Sequence, residues 1–189
     1  MYRSTIIKSV FNGRKTLLEW IYKNNSDNSS RFALGIHAIK PLICIGINPS
    51  TATPECLDNT LRSVERISIN SNFDSWIMLN IYPQRATDPN DLHHQMDNKL
   101  HKSNIECIDQ VLSKYRPAIW AAWGTSINRR NYLFGCLADI AGIASKYNCP
   151  WISFGEKTKE GHPRHPLYLA ANTQYKEFIV DEYLKKFIV

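Results

Sequence analysis

No run of apolar residues in this chain approaches the roughly 18 to 20 needed to cross a bilayer, so the sequence carries no candidate membrane helix. The opening segment MYRSTIIKSVFNGRK lacks the apolar core and small-residue cleavage site of a secretory leader. A cytoplasmic protein is expected. The five cysteines, Cys44, Cys56, Cys107, Cys136 and Cys149, form no CxxC pair, and an odd, scattered set indicates neither a disulfide framework nor a zinc ribbon. They read as mostly buried thiols. There is no block of five or more like charges, so the chain has no basic tail. The formal charge of +6 and pI near 9.1 raise the prospect of a polyanionic partner only if folding gathers the basic residues onto one surface.

Signature motifs are also missing. There is no HExxH, and His93 and His94 have no partners at helical spacing, which argues against a metal site. Neither GxGxxG after a strand nor GxxxxGK[ST] occurs, which disfavours dinucleotide and nucleoside triphosphate sites, and no GxSxG elbow is present. No cofactor is expected. Repeats, low-complexity tracts and interdomain linkers are absent too.

What remains is a chain of 189 residues, 43% hydrophobic and 21% charged, the size and composition of one compact domain over residues 1–189. Four short apolar runs each end in a small polar cluster: LICIGINPST, WIMLNIYP, AIWAAWG and WISFGEKTKEGHPRHPLY. Continuous apolar runs are the mark of strands covered on both faces, predicted at residues 42–47, 75–81, 118–123 and 149–154. Helical spacing of apolar residues intervenes after Asp58, over 97–115 and over 128–147, and a closing helix is expected over 171–189. Alternation of this kind predicts an α/β fold, a three-layer α/β/α sandwich on a central, four-stranded, mainly parallel sheet. Residues 1–40 contain KTLLEWIY and RFALGIHAI around the turn-rich NNSDNSS and predict an antiparallel strand pair at the edge, with the core at 41–189.

In open sheets of this class ligands sit at the carboxyl ends of the strands, beside Asn48, Asn80, Gly124 and His162 or His165. The Ile47 and Pro49 flanks fix Asn48, whose amide oxygen can hold a water. Asn80 can donate and accept, as the edge of a nucleobase requires. His162 and His165 lie in HPRHPLY, stiffened by prolines, where a histidine can stabilise a developing anion or meet a phosphate. Lys157, Lys159 and Arg164, with Arg129 and Arg130, supply a basic rim able to set position on phosphates.

Taken in order, these endings resemble the uracil-DNA glycosylase superfamily. GINPS (residues 46–50) resembles its first motif in the mismatch-specific form, MLN (78–80) the strand end whose Asn reads the base, AWG (122–124) the LWG strand, and HPRHPLY the HPSPL loop. The whole chain, including DNT (58–60) and RATDP (85–89), looks closer still to a bacterial and phage family known only as a domain of unknown function, number 1643, of whose pattern Arg62, Arg85, Thr87 and Lys157 form part.

The superfamily resemblance implies a monofunctional, cofactor-independent, metal-free and monomeric DNA glycosylase, which flips a nucleotide out and hydrolyses its N-glycosidic bond. Asn48 would position the water and His165 or His162 would serve as the loop histidine. Asn80, with Gly46, Ile47, Ser50 and Tyr82, would hold the base. Arg164, Lys157, Lys159, Arg85 and Arg129 would contact DNA, with Leu167 or Tyr168 as the wedge that fills the vacated stack. The chain departs from the uracil-specific enzymes where Ser50 replaces the Tyr that walls off carbon 5 of the pyrimidine. A 5-substituted or modified pyrimidine, or a mismatched uracil or thymine, is therefore the expected substrate. Two other readings use the same crevice: an enzyme of free nucleosides or nucleotides, and a noncatalytic nucleic-acid-binding module.

Overall fold

The computed structural model describes the backbone of residues 3–11 and 14–188, with side chains from residue 19 to residue 188. In chain order the elements are β1 (Arg3–Phe11), β2 (Arg14–Asn24), β3 (Arg31–Ile36), β4 (Pro41–Gly46), α1 (Asn59–Asn70), β5 (Ser75–Asn80), α2 (Asn98–Tyr115), β6 (Ile119–Ala121), α3 (Tyr132–Lys146), β7 (Trp151–Phe154), β8 (Tyr175–Glu177) and α4 (Val180–Phe187). All eight strands join one mixed sheet in the order β1-β2-β3-β5-β4-β6-β7-β8. The pairings β4 with β5, β4 with β6 and β6 with β7 are parallel, and the others are antiparallel.

Every residue of β4 and β5 is buried, which is why these strands read as unbroken apolar runs rather than alternating ones. Alternate side chains serve opposite faces. Ile43, Ile45, Ile77 and Leu79 pack with residues of α2, α3 and α4, whereas Leu42, Cys44, Trp76 and Met78 pack with Leu61, Val64 and Ile67 of α1. The result is a mixed α/β fold with helices on both faces of the sheet.

Two helices begin at carboxylates visible in the sequence. Asp58 accepts from the Leu61 amide at 2.9 Å, and Asp97 accepts from the Lys99 and Leu100 amides at 2.9 and 3.0 Å. Such caps satisfy amides that the helix cannot, each worth about 1 kcal/mol.

The sheet is larger and less uniform than expected. β3 does not stop at pairing with β2; it also lies antiparallel on β5, with Leu34 opposite Met78 and Gly35 opposite Ile77. Gly35 makes this approach possible, because a Cβ there would fall 2.5 Å from the Trp76 carbonyl oxygen. The expected helix over 171–189 is a strand followed by a short helix. Tyr175, Lys176 and Glu177 are all exposed and extend the sheet along β7, and helix begins only where Val180, Tyr183 and Leu184 offer a buried stripe. Val189 lies outside the described residues. β6 is three residues long because the chain turns at Gly124, whose φ is +61°. A 3-10 turn over Gly124–Arg129 then takes the first residues of the expected third helix.

Among the described residues no helix is long and apolar enough to cross a membrane. Cys44, Cys107, Cys136 and Cys149 are buried and Cys56 is exposed, and none of them forms a disulfide among the described residues.

Candidate active site

Because β4, β6 and β7 run parallel, the segments that leave them emerge on one side of the sheet. Together with the start of β3 and the start of α1 they enclose a cavity of about 660 Å³. Gly46 ends β4 and Ile47, Asn48 and Ser50 come from the turn after it, Gly124 and Ser126 from the turn after β6, and Thr158, Arg164 and His165 from the loop after β7.

Asn48 is held in a single orientation. Its Nδ2 donates to the Ala86 carbonyl at 2.7 Å and to the Pro49 carbonyl at 3.2 Å. Carbonyls accept only, so both contacts require the amide nitrogen, and the usual ambiguity between amide oxygen and nitrogen is resolved. Oδ1 is left as an acceptor with no partner among the described residues, on a side chain that lines the cavity. The turn beneath it is braced from behind by Arg85, whose Nη1 donates to the Ser50 carbonyl and whose Nη2 donates to Tyr22 Oη at 2.8 Å.

His165 faces the same cavity. Its Nδ1 accepts from the Leu167 amide at 3.3 Å, which leaves the neutral ring's proton on Nε2. Burial pushes the imidazole pKa below its ordinary 6.5, with Asp58 pulling weakly the other way, so the ring is neutral near pH 7. Gly124 sets the spacing of the two loops: a Cβ there would lie 3.2 Å from the His165 Cβ.

Arg31, also on the cavity wall, is a site residue that sequence reasoning missed. It is 2% exposed, and burial, followed by the like charge of Arg85, lowers its pKa to about 10, which still leaves it charged at neutral pH. Its Nη1 donates to the Ala52 carbonyl at 3.1 Å, while Nε has no partner among the described residues. The one signal in the sequence is a charged residue heading an otherwise apolar strand, RFALGI. The start of α1 shows only a cap in the sequence, yet Asp58, Asn59 and Thr60 all line the cavity, as does Thr87.

The structure sorts the remaining candidates into two groups. Arg129, Arg164, Leu167 and Tyr168 stand on the cavity wall or its mouth, with Leu167 46% and Tyr168 74% exposed. His162, Tyr82, Asn80, Arg85, Lys157 and Lys159 are not part of the wall. His162 is fully buried, with Nδ1 2.7 Å from Tyr183 Oη, Nε2 3.1 Å from Asn128 Nδ2 and its ring stacked on Phe187. Tyr82 Oη contacts His93 Nδ1 and accepts from the Asp97 amide, both at 3.0 Å. Lys157 and Lys159 are exposed, and Lys157 lies over the Phe178 ring at 5.4 Å.

Asn80 is the unusual case. It is fully buried, and neither side-chain polar atom has a partner among the described residues, which costs about 1 to 3 kcal/mol for each group. Its Oδ1 lies 3.4 Å from where a Gly46 Cβ would be, and the Met78 methyl lies 2.6 Å from the same point. Gly46 and Met78 both line the cavity, so Asn80 sits directly behind its wall.

The family model described as Protein of unknown function (DUF1643) matches residues 31–167, a span that runs from Arg31 to Leu167 and so includes nearly all of the cavity wall. No curated protein and no solved structure matches the chain.

Proposed function

The chain belongs to the DUF1643 family, and from the geometry of its crevice we propose that it is a monofunctional DNA glycosylase of the uracil-DNA glycosylase type. The observation that carries this reading is the locked amide of Asn48, whose two N–H groups are spent on carbonyls. An oxygen acceptor fixed at the crevice is what holding an attacking water requires.

On this reading a nucleotide leaves the DNA stack and enters the cavity. The water held by Asn48 Oδ1 adds its oxygen to the sugar carbon. The glycosidic electron pair leaves with the base, and the departing anion takes up the proton that the water sheds. An amide is a weak base, so Asn48 orients the water rather than deprotonating it, and turnover is slow. Neutral His165 supplies an Nε2–H that strengthens its hydrogen bond as charge builds on the base, and one such donor is typically worth about 3 kcal/mol. Asn80 reads the base edge once the Met78 side chain swings aside, which gives its two unpartnered polar atoms an occupant. Ser50 leaves room at carbon 5, so a 5-substituted pyrimidine is the preferred base. Exposed Leu167 and Tyr168 fill the vacated stack, and Arg164 and Arg129 grip the flanking phosphates.

Single-turnover base release from duplexes carrying uracil, thymine and bulkier 5-substituted pyrimidines tests the proposal. Asn48→Ala should slow release about 100- to 1,000-fold while DNA binding and the melting temperature change little. Release that is unaltered by the substitution would remove Asn48 from the chemistry. Absence of release from every substrate would overturn the glycosylase reading. The enclosed volume of about 660 Å³ also suits a free nucleotide, the second reading, which predicts base release from nucleotides but not from duplex.

A further inference from the structure

The strongest unexplained feature of the crevice is a buried positive charge that no carboxylate among the described residues contacts directly, Asp58 on the same wall acting on it only from beyond salt-bridge distance. Arg31 is 2% exposed, yet no carboxylate among the described residues lies within salt-bridge distance of it. Of its three side-chain nitrogens, only Nη1 has a protein partner among the described residues, the neutral carbonyl of Ala52. A guanidinium taken from water and left unpaired is costly to the fold.

The first turn of α1, a helix twelve residues long, lines the same cavity. Asp58 caps the Leu61 amide through its side chain and the Arg62 amide through its carbonyl. The Asn59 and Thr60 amides have no such partner, and both residues line the cavity. Unbonded amides at the positive end of a helix favour an anion, and here they line the same cavity as a buried arginine. Arg129 and Arg164 add two exposed positive charges, so the wall carries three arginines against the single carboxylate of Asp58.

We infer that Arg31 and the first turn of α1 form an internal anion subsite that binds one phosphate group of the ligand inside the crevice. The guanidinium presents its donors in a plane, which matches the oxygens of a phosphate, and the helix amides supply donors from a second direction. This subsite does not depend on the base-excision reading. The same chemistry arises from the backbone phosphate of a flipped nucleotide or from the terminal phosphate of a free one. Arg31 binds and positions the phosphate.

The test is calorimetric titration of the full chain at fixed ionic strength with four probes: inorganic phosphate, a nucleoside 5′-monophosphate, a dinucleotide whose only phosphate is the internal diester, and the neutral nucleoside. At least one phosphate-bearing nucleotide probe should bind about tenfold or more tightly than the nucleoside. Preference for the monophosphate identifies a free nucleotide as the source, and preference for the dinucleotide identifies nucleic acid. Arg31→Gln should erase that advantage, whereas Arg129→Gln, at an exposed position, should lower it only a few fold. Should Arg31→Gln fail to fold, the wild-type comparison decides alone: equal affinity for nucleoside and nucleotides overturns the subsite. Full retention of the advantage in a folded Arg31→Gln protein overturns it as well. Base release is measured separately, so loss of the subsite and loss of the glycosylase reading are distinct results.

Discussion

Two histidines three residues apart in one loop have opposite surroundings. His162 uses both ring nitrogens, against Tyr183 and Asn128, and is stacked on Phe187 out of reach of solvent. His165 makes one long bond to a backbone amide and otherwise faces the cavity. A weaker form of the contrast separates Arg85, both of whose terminal nitrogens are bonded although its Nε is not, from Arg31, of whose nitrogens only Nη1 has a partner among the described residues. It also separates the fully occupied Tyr82 hydroxyl from the unpartnered amide of Asn80. Buried polar groups are normally satisfied, so a side chain whose bonding capacity is spent within the protein is part of the framework. One with capacity left over, on or just behind a cavity wall, is available to a ligand.

The largest test of this contrast is His162→Ala against His165→Ala. Removing His162 opens a hole under α4 and strips a partner from both Tyr183 and Asn128, and should destabilise the protein by about 2 to 4 kcal/mol, read by denaturant unfolding. Removing His165 should cost less than about 1 kcal/mol while slowing base release. Equal stability losses would erase the distinction between the two.

Acid provides a second test. Burial lowers both imidazole pKa values below the ordinary 6.5, and although Glu160 opposes the shift at His162 and Asp58 at His165, burial prevails. The unfolded chain therefore binds more protons than the native one just below pH 6.5, so stability falls as pH drops through that point and is regained above it. Melting temperature followed from pH 8 to pH 5 should decline on the acid side. The decline should be shallower in His162→Phe, which cannot take up the proton.

A smaller effect than that of His162→Ala is expected of Gly124→Ala. Its φ of +61° lies in the left-handed region, where an L side chain costs about 1 to 2 kcal/mol, and the new Cβ would press on His165. Thermal melting should show that modest loss, and base release should fall by more than the loss of stability explains. Proportionate losses would mean that Gly124 serves the turn and not the placement of His165.

Much of the framework was legible because its causes are local. Asp58 is a helix cap by residue type and by the helical spacing of the apolar residues after it, and it caps α1; Asp97, read only as the start of a helical segment, caps α2. β4 and β5 were visible as apolar runs because both of their faces are covered. β8 was not, since Tyr175, Lys176 and Glu177 are all exposed and owe their extended form to hydrogen bonding with β7 rather than to any pattern of their own. Within the site, Asn48, Ser50, Gly46, Ile47 and His165 follow strands whose ends the topology gathers on one side. Arg31 was not legible because it heads an antiparallel strand, and nothing in the residues around it shows that this strand would pair with β5 and bring its first residue to the same edge.

By itself, then, the sequence determined which segments extend, which coil, where two helices begin and which polar residues lie at the ends of buried strands, because propensity, capping and periodicity act over a few residues. Only the tertiary structure decided which of those polar groups spend their hydrogen bonds inside the protein. That depends on partners far along the chain: Tyr183 for His162, Ala86 for Asn48, and no carboxylate among the described residues for Arg31.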